Sequence, residues 1–290
     1  MRKFYFRNAS GERWALQGEK GVFLTDPTGL GVTLAQTYAD LQNGFFVGVS
    51  SANEPQSAPH ATLLFVRPAY AAYRQLINWI SAAGNLELIY CPFGTEEFHR
   101  RVDVQAISKG ELDEHAFLTC ELSLLARSPW FKAAATRLDL SSQTVDRSMR
   151  YNVIYTANLI YGEDATASLS GTLHPDGHVP AAISVTFYGG AASPVISLTG
   201  QLTGKLYGAC RIADTIAAGE TLLFSSDYLD SHVRKLTAQG VEVDLLSKID
   251  LGGEPFFRLP LTEPCTLTIA AQAAISGAAD VQVFYYYRSV

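Results

Sequence analysis

Two histidines, His174 and His178, stand four residues apart in the segment His-Pro-Asp-Gly-His. On a helix that spacing sets both imidazoles on one face, where they could share a metal ion. The residues between them, Pro175-Asp176-Gly177, form a hairpin-turn signature that works against a helix, so the turn reading prevails. The other histidines, His60, His99, His115 and His232, stand alone. Two groups of carboxylates have the spacing of an acid and a base: Glu96 with Glu97, and Glu111, Asp113 and Glu114 after Gly110. Glycoside hydrolysis uses such pairs. Both groups fall at expected turns, where carboxylates are ordinarily just solvated. Thr28-Gly29-Leu30-Gly31 is too short for a phosphate-binding loop and lacks the following Lys-Ser/Thr; Gly-x-Ser-x-Gly is absent. The C-terminal Phe284-Tyr285-Tyr286-Tyr287-Arg288-Ser289 offers a stacking platform for sugars, but a strand with tyrosine on both faces explains it without a ligand. No catalytic, cofactor-binding or metal-ligating residues are therefore assigned, no cofactor is expected, and the chain reads as a non-enzymatic binding or assembly component.

The elements that carry these residues are mostly strands. Arg2–Asn8 and Glu12–Gly18 flank the turn-like Asn8-Ala9-Ser10-Gly11, which predicts a hairpin. Asn43–Ser51 has strand composition, and Ala52–His60 is a polar, proline-containing loop. One helix is expected, at about 68–83: Pro68 suits its first turn and Gly84 its C-terminal stop. Tyr70, Tyr73, Ile77 and Ile80 mark its packed face, widened by Leu76 and Trp79. The segment His115–Arg127 alternates with period two, setting Ala116, Leu118, Cys120, Leu122, Leu124 and Ala126 on one side. That pattern stops at Ser128-Pro129-Trp130-Phe131, where proline removes a ladder donor. A strand ending in two large aromatics, followed by the polar stretch up to Arg150, reads as a seam between domains, with Trp130 expected to pin them. Roughly ten short strand candidates follow from Tyr151 onward, with turns between them, as in a β-sandwich.

Composition sets the function classes. The chain has 290 residues, 48% hydrophobic and only 17% charged, with a net charge of −6 and 14 tyrosines. Arginine outnumbers lysine by 15 to 7. Interfaces favour Tyr and Arg and deplete Lys, so much surface is suited to contact with other proteins. Nothing forms a basic patch, which argues against sequence-specific nucleic-acid binding. No apolar run is long enough to insert in a membrane, and the N-terminus lacks the apolar stretch of a signal peptide. Four single cysteines lack metal spacing; one disulfide in each half is compatible with their number, but a reducing compartment during folding fits better.

The order of pieces between 63 and 132 resembles the N-terminal domain of the phage distal tail proteins: a strand in Ala61–Arg67, the Tyr/Trp helix, Leu86–Tyr90, Phe98–Leu112, and a long strand ending in Ala-Arg-Ser-Pro-Trp-Phe. Gly177–Leu198, Ile216–Ser226, Val241–Asp250 and Phe256–Pro260 are similar to that family's C-terminal sandwich. The resemblance implies a mainly β chain: an N-terminal ring-forming β-domain over 1–135 with one packed α-helix, a linker at 136–150, and a galectin-like antiparallel β-sandwich over 151–290. It implies a homo-hexameric ring joining the tail tube protein to the hub or tip of a baseplate, with receptor-binding proteins attached and DNA passing through the ring. It places the chain in a virion tail or a tail-like bacteriocin particle, assembled in the bacterial host cytoplasm. A glycan-binding adhesion module at the tail tip is the alternative reading, and a cell-wall hydrolase a third.

Overall fold

The computed structural model describes residues 2–35, 38–40, 46–48, 55–138, 140–141, 168–271 and 275–290. The chain divides into two compact units, Met1–Lys132 with Tyr286–Val290, and Ala133–Tyr285. Both are built almost wholly of antiparallel strands.

In the first unit the sheet returns on itself. Arg13–Ala15 pairs with Lys3–Arg7, and Lys3–Arg7 pairs with Leu86–Cys91. Leu86–Cys91 pairs with the start of Phe98–Leu112, whose far half pairs with Leu118–Ala126. Leu118–Ala126 pairs with His60–Phe65, and that with Val22–Thr28. The Gln17–Phe23 bridge and the Leu24 N–H bond to the Leu16 carbonyl (2.9 Å) then join the last strand to the first. The pleat sends alternate side chains inward. Phe4, Phe6, Trp14, Leu88, Phe98, Val102 and Trp130 fill the interior with Leu118, Cys120, Leu122 and Leu124. The expected hairpin and the period-two strand are thus present. Ala116, however, lies outside the strand, in a turn with φ +60°.

The helix Ala69–Ser81 is the one α-helix among the described residues. Its buried stripe is Ala69, Ala72 and Leu76, flanked by Tyr70, Tyr73, Trp79 and Ile80. This corrects the expected face, because Ile77 takes no part in the core. Small alanines let the helix backbone approach the sheet, so the face centres on them and the bulky residues wrap its margins. Pro68 is the N-cap, and Gly84 adopts φ +66° two residues past the C-cap Ala82.

The second unit is a two-sheet sandwich. One sheet runs Leu140–Ser141, Ser168–Leu173, Cys265–Ala270, Val195–Gly200, Leu206–Arg211. The other holds Val179–Tyr188, Thr221–Ser226, Ser231–Leu236 and Glu242–Asp244 in order. Leu169, Ile196, Leu198, Leu267 and Ile269 from one sheet meet Ile183, Val185, Phe187, Phe224 and Val233 from the other in a single core. Phe256–Pro260, expected as a strand, makes only one bridge, Ala181 to Leu259; it lies across the core and buries Phe257 and Leu259. The polar stretch expected as a linker begins as strand, since Trp130 opens Trp130–Leu138. The candidate strand at 151–162 lies outside the described residues. Tyr286–Val290, read from sequence as part of the sandwich, groups with the first unit, where Tyr287 packs edge-on against Phe98 at 5.3 Å.

Candidate assembly surfaces

Of the residues with catalytic spacing, Glu96, Glu97, Glu111 and Asp113 are engaged in structural contacts. His174 and His178 are exposed, on a turn that links strands of the two different sheets rather than closing a hairpin. Glu96 pairs with Lys132 at 2.7 Å, and Glu97 forms a two-pronged bond with Arg13 at 2.8 Å for each prong. That bond holds the Glu97 carboxyl below the usual range and the Arg13 guanidinium above it. Asp113 accepts the His115 and Phe117 backbone N–H groups, which fixes the turn, while Glu111 accepts the Tyr70 hydroxyl at 3.3 Å. Among the described residues no three His, Cys, Asp or Glu are grouped to hold a metal ion. None of their helices is long and apolar enough to cross a membrane. The tyrosines of the C-terminal segment are occupied too: Tyr285 donates to the His174 carbonyl (3.0 Å), and Tyr286 is buried near Phe131.

Two motifs that looked unrelated in sequence meet inside the first unit. Trp130 is fully buried; its Nε1 donates to the Leu30 carbonyl at 3.3 Å, and Arg100 lies over its ring at 5.3 Å. Arg100 is itself buried and donates to the Ser128 carbonyl (3.0 Å) and the Gly29 carbonyl (3.4 Å). The Gly-Leu-Gly stretch is therefore a clamp point for the Ser-Pro-Trp segment. Gly29 sits there at φ +72°, with its would-be Cβ 3.0 Å from the Pro59 backbone, so a side chain would be crowded. A buried guanidinium with backbone acceptors is tolerable where an unpaired one is not.

The outer face of the same strands is polar. Arg7 and His99 both reach the Glu87 carboxylate, at 3.5 and 3.4 Å. Burial pushes that carboxyl up, but the His99 hydrogen bond and the charges of His99, Arg7 and Arg101 outweigh it and hold it low. Such a lattice of arginine and glutamate suits contact with protein more than catalysis.

Sequence reasoning missed two surface features of the first unit. One is a cleft of about 710 Å³ beside the helix, walled by Trp14 and Trp79, whose rings lie 5.6 Å apart. Lys20 sits over Trp14 at 4.1 Å. Neither indole Nε1 has a hydrogen-bond partner, although both are buried. The signal was available in outline: a tryptophan on the hairpin's inner face and another at the helix margin. The other feature is Phe93, 84% exposed on the turn between Leu86–Cys91 and Phe98–Leu112.

In the second unit Glu263 organises a hairpin. Its carboxylate accepts Thr203 Oγ1 (2.6 Å), Tyr207 OH (2.6 Å) and the Leu202 and Thr203 backbone N–H groups (2.9 and 3.0 Å). These bonds, those from Thr203 and Tyr207 foremost, hold its pKa at about 2. The hairpin tip presents Leu202, 79% exposed. Alongside runs a groove of about 560 Å³ lined by Tyr207, Arg211, Asp250 and Glu254. All four cysteines are unpaired and buried; burial lifts the Cys210 thiol to about 12 and the Cys265 thiol to about 11.

With the geometry established, the chain was compared with known proteins. Residues 3–126 match the family model of the distal tail protein N-terminal domain. That segment therefore carries the distal tail N-terminal domain. The fold extends the likeness to the whole length. A chain of the phage P2 baseplate in its activated conformation with Ca is similar at TM-score 0.68 and 12% identity, each chain covered over 100%. The same baseplate with Sr gives 0.66 and 13%, again over 100% of each chain. The SPP1 Dit protein (gp 19.1), described as a paradigm of the hub adsorption apparatus in phages infecting Gram-positive hosts, gives 0.58 and 8% over 97% of this chain and 98% of that one. No curated protein matches the sequence. The chain thus has a mainly β fold shared along its whole length with baseplate and Dit chains, and a distal tail domain over residues 3–126.

Proposed function

We propose that this distal tail protein forms a hexameric ring joining the tail tube to the hub or tip of the baseplate, and that receptor-binding proteins anchor on it. The observation that carries this reading is the distal tail domain over residues 3–126, joined to a fold that matches baseplate and hub proteins end to end. The physics supports it. Glu96, Glu97, Glu111 and Asp113 are held in structural bonds, and a lightly charged chain suits extensive burial against neighbours. A ring of identical subunits needs two different patches on each copy, which close under rotation. DNA passing through the ring requires no sequence reading, consistent with the absence of a basic patch. The first unit forms the ring in this reading, and the second, with the galectin-like character its sequence suggests, faces the tip proteins. Assembly takes place in the host cytoplasm, and the product is part of the virion tail or of a tail-like particle.

Mass photometry over a concentration series tests it. Six copies of the 31.5 kDa chain, six times 31.5 or 189 kDa, are expected alone or on addition of the tube protein. A 31.5 kDa species under both conditions would refute the ring. The polar groove beside Tyr207 is the one observation favouring a glycan-binding role for the second unit. Saccharide-specific binding on a glycan array, lost in Tyr207→Ala, would support that role instead.

A further inference from the structure

We infer that Asp176-Gly177 is a site of spontaneous backbone isomerisation, where the native chain converts aspartate to isoaspartate through a succinimide. The inference goes beyond the assembly role and does not depend on the ring.

The chemistry is local. The Gly177 nitrogen attacks Cγ of the Asp176 carboxyl in its protonated form; the N–Cγ bond forms and a Cγ–O bond breaks. The oxygen leaves as water, carrying the carboxyl proton and the Gly177 amide proton. A water molecule then opens the imide. Attack at Cγ restores aspartate. Attack at the main-chain carbonyl carbon breaks its bond to nitrogen and routes the chain through Cγ as isoaspartate. The water lost in the first step is returned in the second, and nothing is oxidised or reduced.

Only the nitrogen of the next residue closes a five-membered ring, and the structure sorts the aspartates by the nitrogen each carboxylate meets. Asp227, Asp244 and Asp250 accept the N–H two residues on, at 2.9, 2.8 and 2.8 Å. Asp113 accepts the N–H groups two and four residues on, at 3.0 and 2.7 Å. Those bonds aim the carboxylate past the reacting nitrogen. Two aspartates meet the right one: Asp176 Oδ1 accepts the Gly177 N–H at 2.7 Å, and Asp214 Oδ1 the Thr215 N–H at 2.9 Å. Oδ1 lies one bond of about 1.2 Å from Cγ, which puts the Gly177 nitrogen within about 4 Å of the carbon it attacks.

The surroundings then single out Asp176. Thr215 is β-branched and opens the strand Thr215–Ile216, and Lys235 holds the other Asp214 oxygen at 3.3 Å. Gly177 has no side chain to crowd the approach and takes φ +87° outside any strand. Its N–H bonds to the reacting side chain itself, so no ladder bond has to break. Asp176 is exposed, so water reaches the imide. Tyr285, donating to the His174 carbonyl at 3.0 Å, anchors the turn. Asp176-Gly177 is also the one Asp-Gly pair in the sequence. The product adds a methylene to the main chain in the connection between the two sheets of the sandwich.

The test ages the full chain in warm neutral buffer, natively and in urea. Isoaspartate is read by isoaspartyl methyltransferase labelling and by peptide mapping with electron-transfer fragmentation. Mapping separates residue 176 from Asn43-Gly44, which forms the same imide by losing ammonia. In the native chain isoaspartate at 176 is expected to exceed that at 214 by about tenfold or more. It should form at 176 at least as fast natively as in urea, whereas Asp214 should react faster in urea. Asp176→Glu, which would need a ring larger by one atom, should lose the mapped product and its share of the methyl label, with unchanged circular dichroism. Native isoaspartate at 176 no higher than at 214, or formed there only in urea, overturns the inference. A methyl label undiminished in Asp176→Glu overturns it as well.

Discussion

Trp130→Ala should destabilise the first unit by about 4 kcal/mol. The side chain is 0% exposed and lies in the core with Phe4, Leu88 and Phe98. Truncating a buried tryptophan costs about 3–5 kcal/mol through lost contacts and the cavity left behind. The Nε1 bond to Leu30 is long at 3.3 Å, so its loss adds no more than about 1 kcal/mol. The Arg100 contact at 5.3 Å is near the limit of a useful cation–π interaction and adds less. The assay is selective by a feature of the sequence: Trp14, Trp79 and Trp130 are the three tryptophans, and all fall in the first unit. Urea denaturation followed by tryptophan fluorescence therefore reads that unit alone, with two reporters surviving in the variant. At a slope of about 2 kcal/mol per molar, the midpoint should fall by about 2 M. Trp130→Phe keeps most of the apolar volume and should lose only about 1–2 kcal/mol. A midpoint for Trp130→Ala within about 0.3 M of the wild type would refute the placement of Trp130 in the core.

Three further outcomes are expected. Gly277→Ala places a Cβ 1.8 Å from the Tyr188 carbonyl at φ +113°, and should cost the second unit more than about 3 kcal/mol in thermal melts. Gly253→Ala, with nothing within 4 Å, is the silent control. Glu263, held at about 2 against an ordinary 4.5, stabilises the fold above pH 4.5, and that contribution is lost progressively as pH falls from 4.5 toward 2. Glu263→Gln should flatten the low-pH limb of the stability curve; an unchanged limb would count against the assignment. A thiol reagent should modify no cysteine in the native protein and all four in denaturant, because each is buried. Rapid native labelling of Cys210 or Cys265 would contradict the structure.

The sequence alone determined many of the local elements and suggested the class of protein. Period-two alternation fixed Leu118–Ala126, turn residues fixed the N-terminal hairpin, and the order of strands and helix pointed to the distal tail family. These are short-range signals, and side-chain periodicity carries them directly. It also offered no recognised catalytic motif, since Gly-x-Ser-x-Gly and a phosphate-binding loop are absent from it. Tertiary structure decided the rest. Closure of the first sheet depends on the Gln17–Phe23 bridge, and the Trp130–Arg100–Gly29 clamp joins residues about a hundred positions apart. Neither has a local signature, because a contact between distant segments exists only once the chain has folded. The helix's buried face was misjudged for the same reason. Hydrophobic bulk ranks Ile77 above Ala72, but the sheet it packs against admits alanine closest. The aromatic cleft and the exposed Phe93 likewise became visible only when burial was known, because sequence alone does not distinguish a core aromatic from one left on the surface.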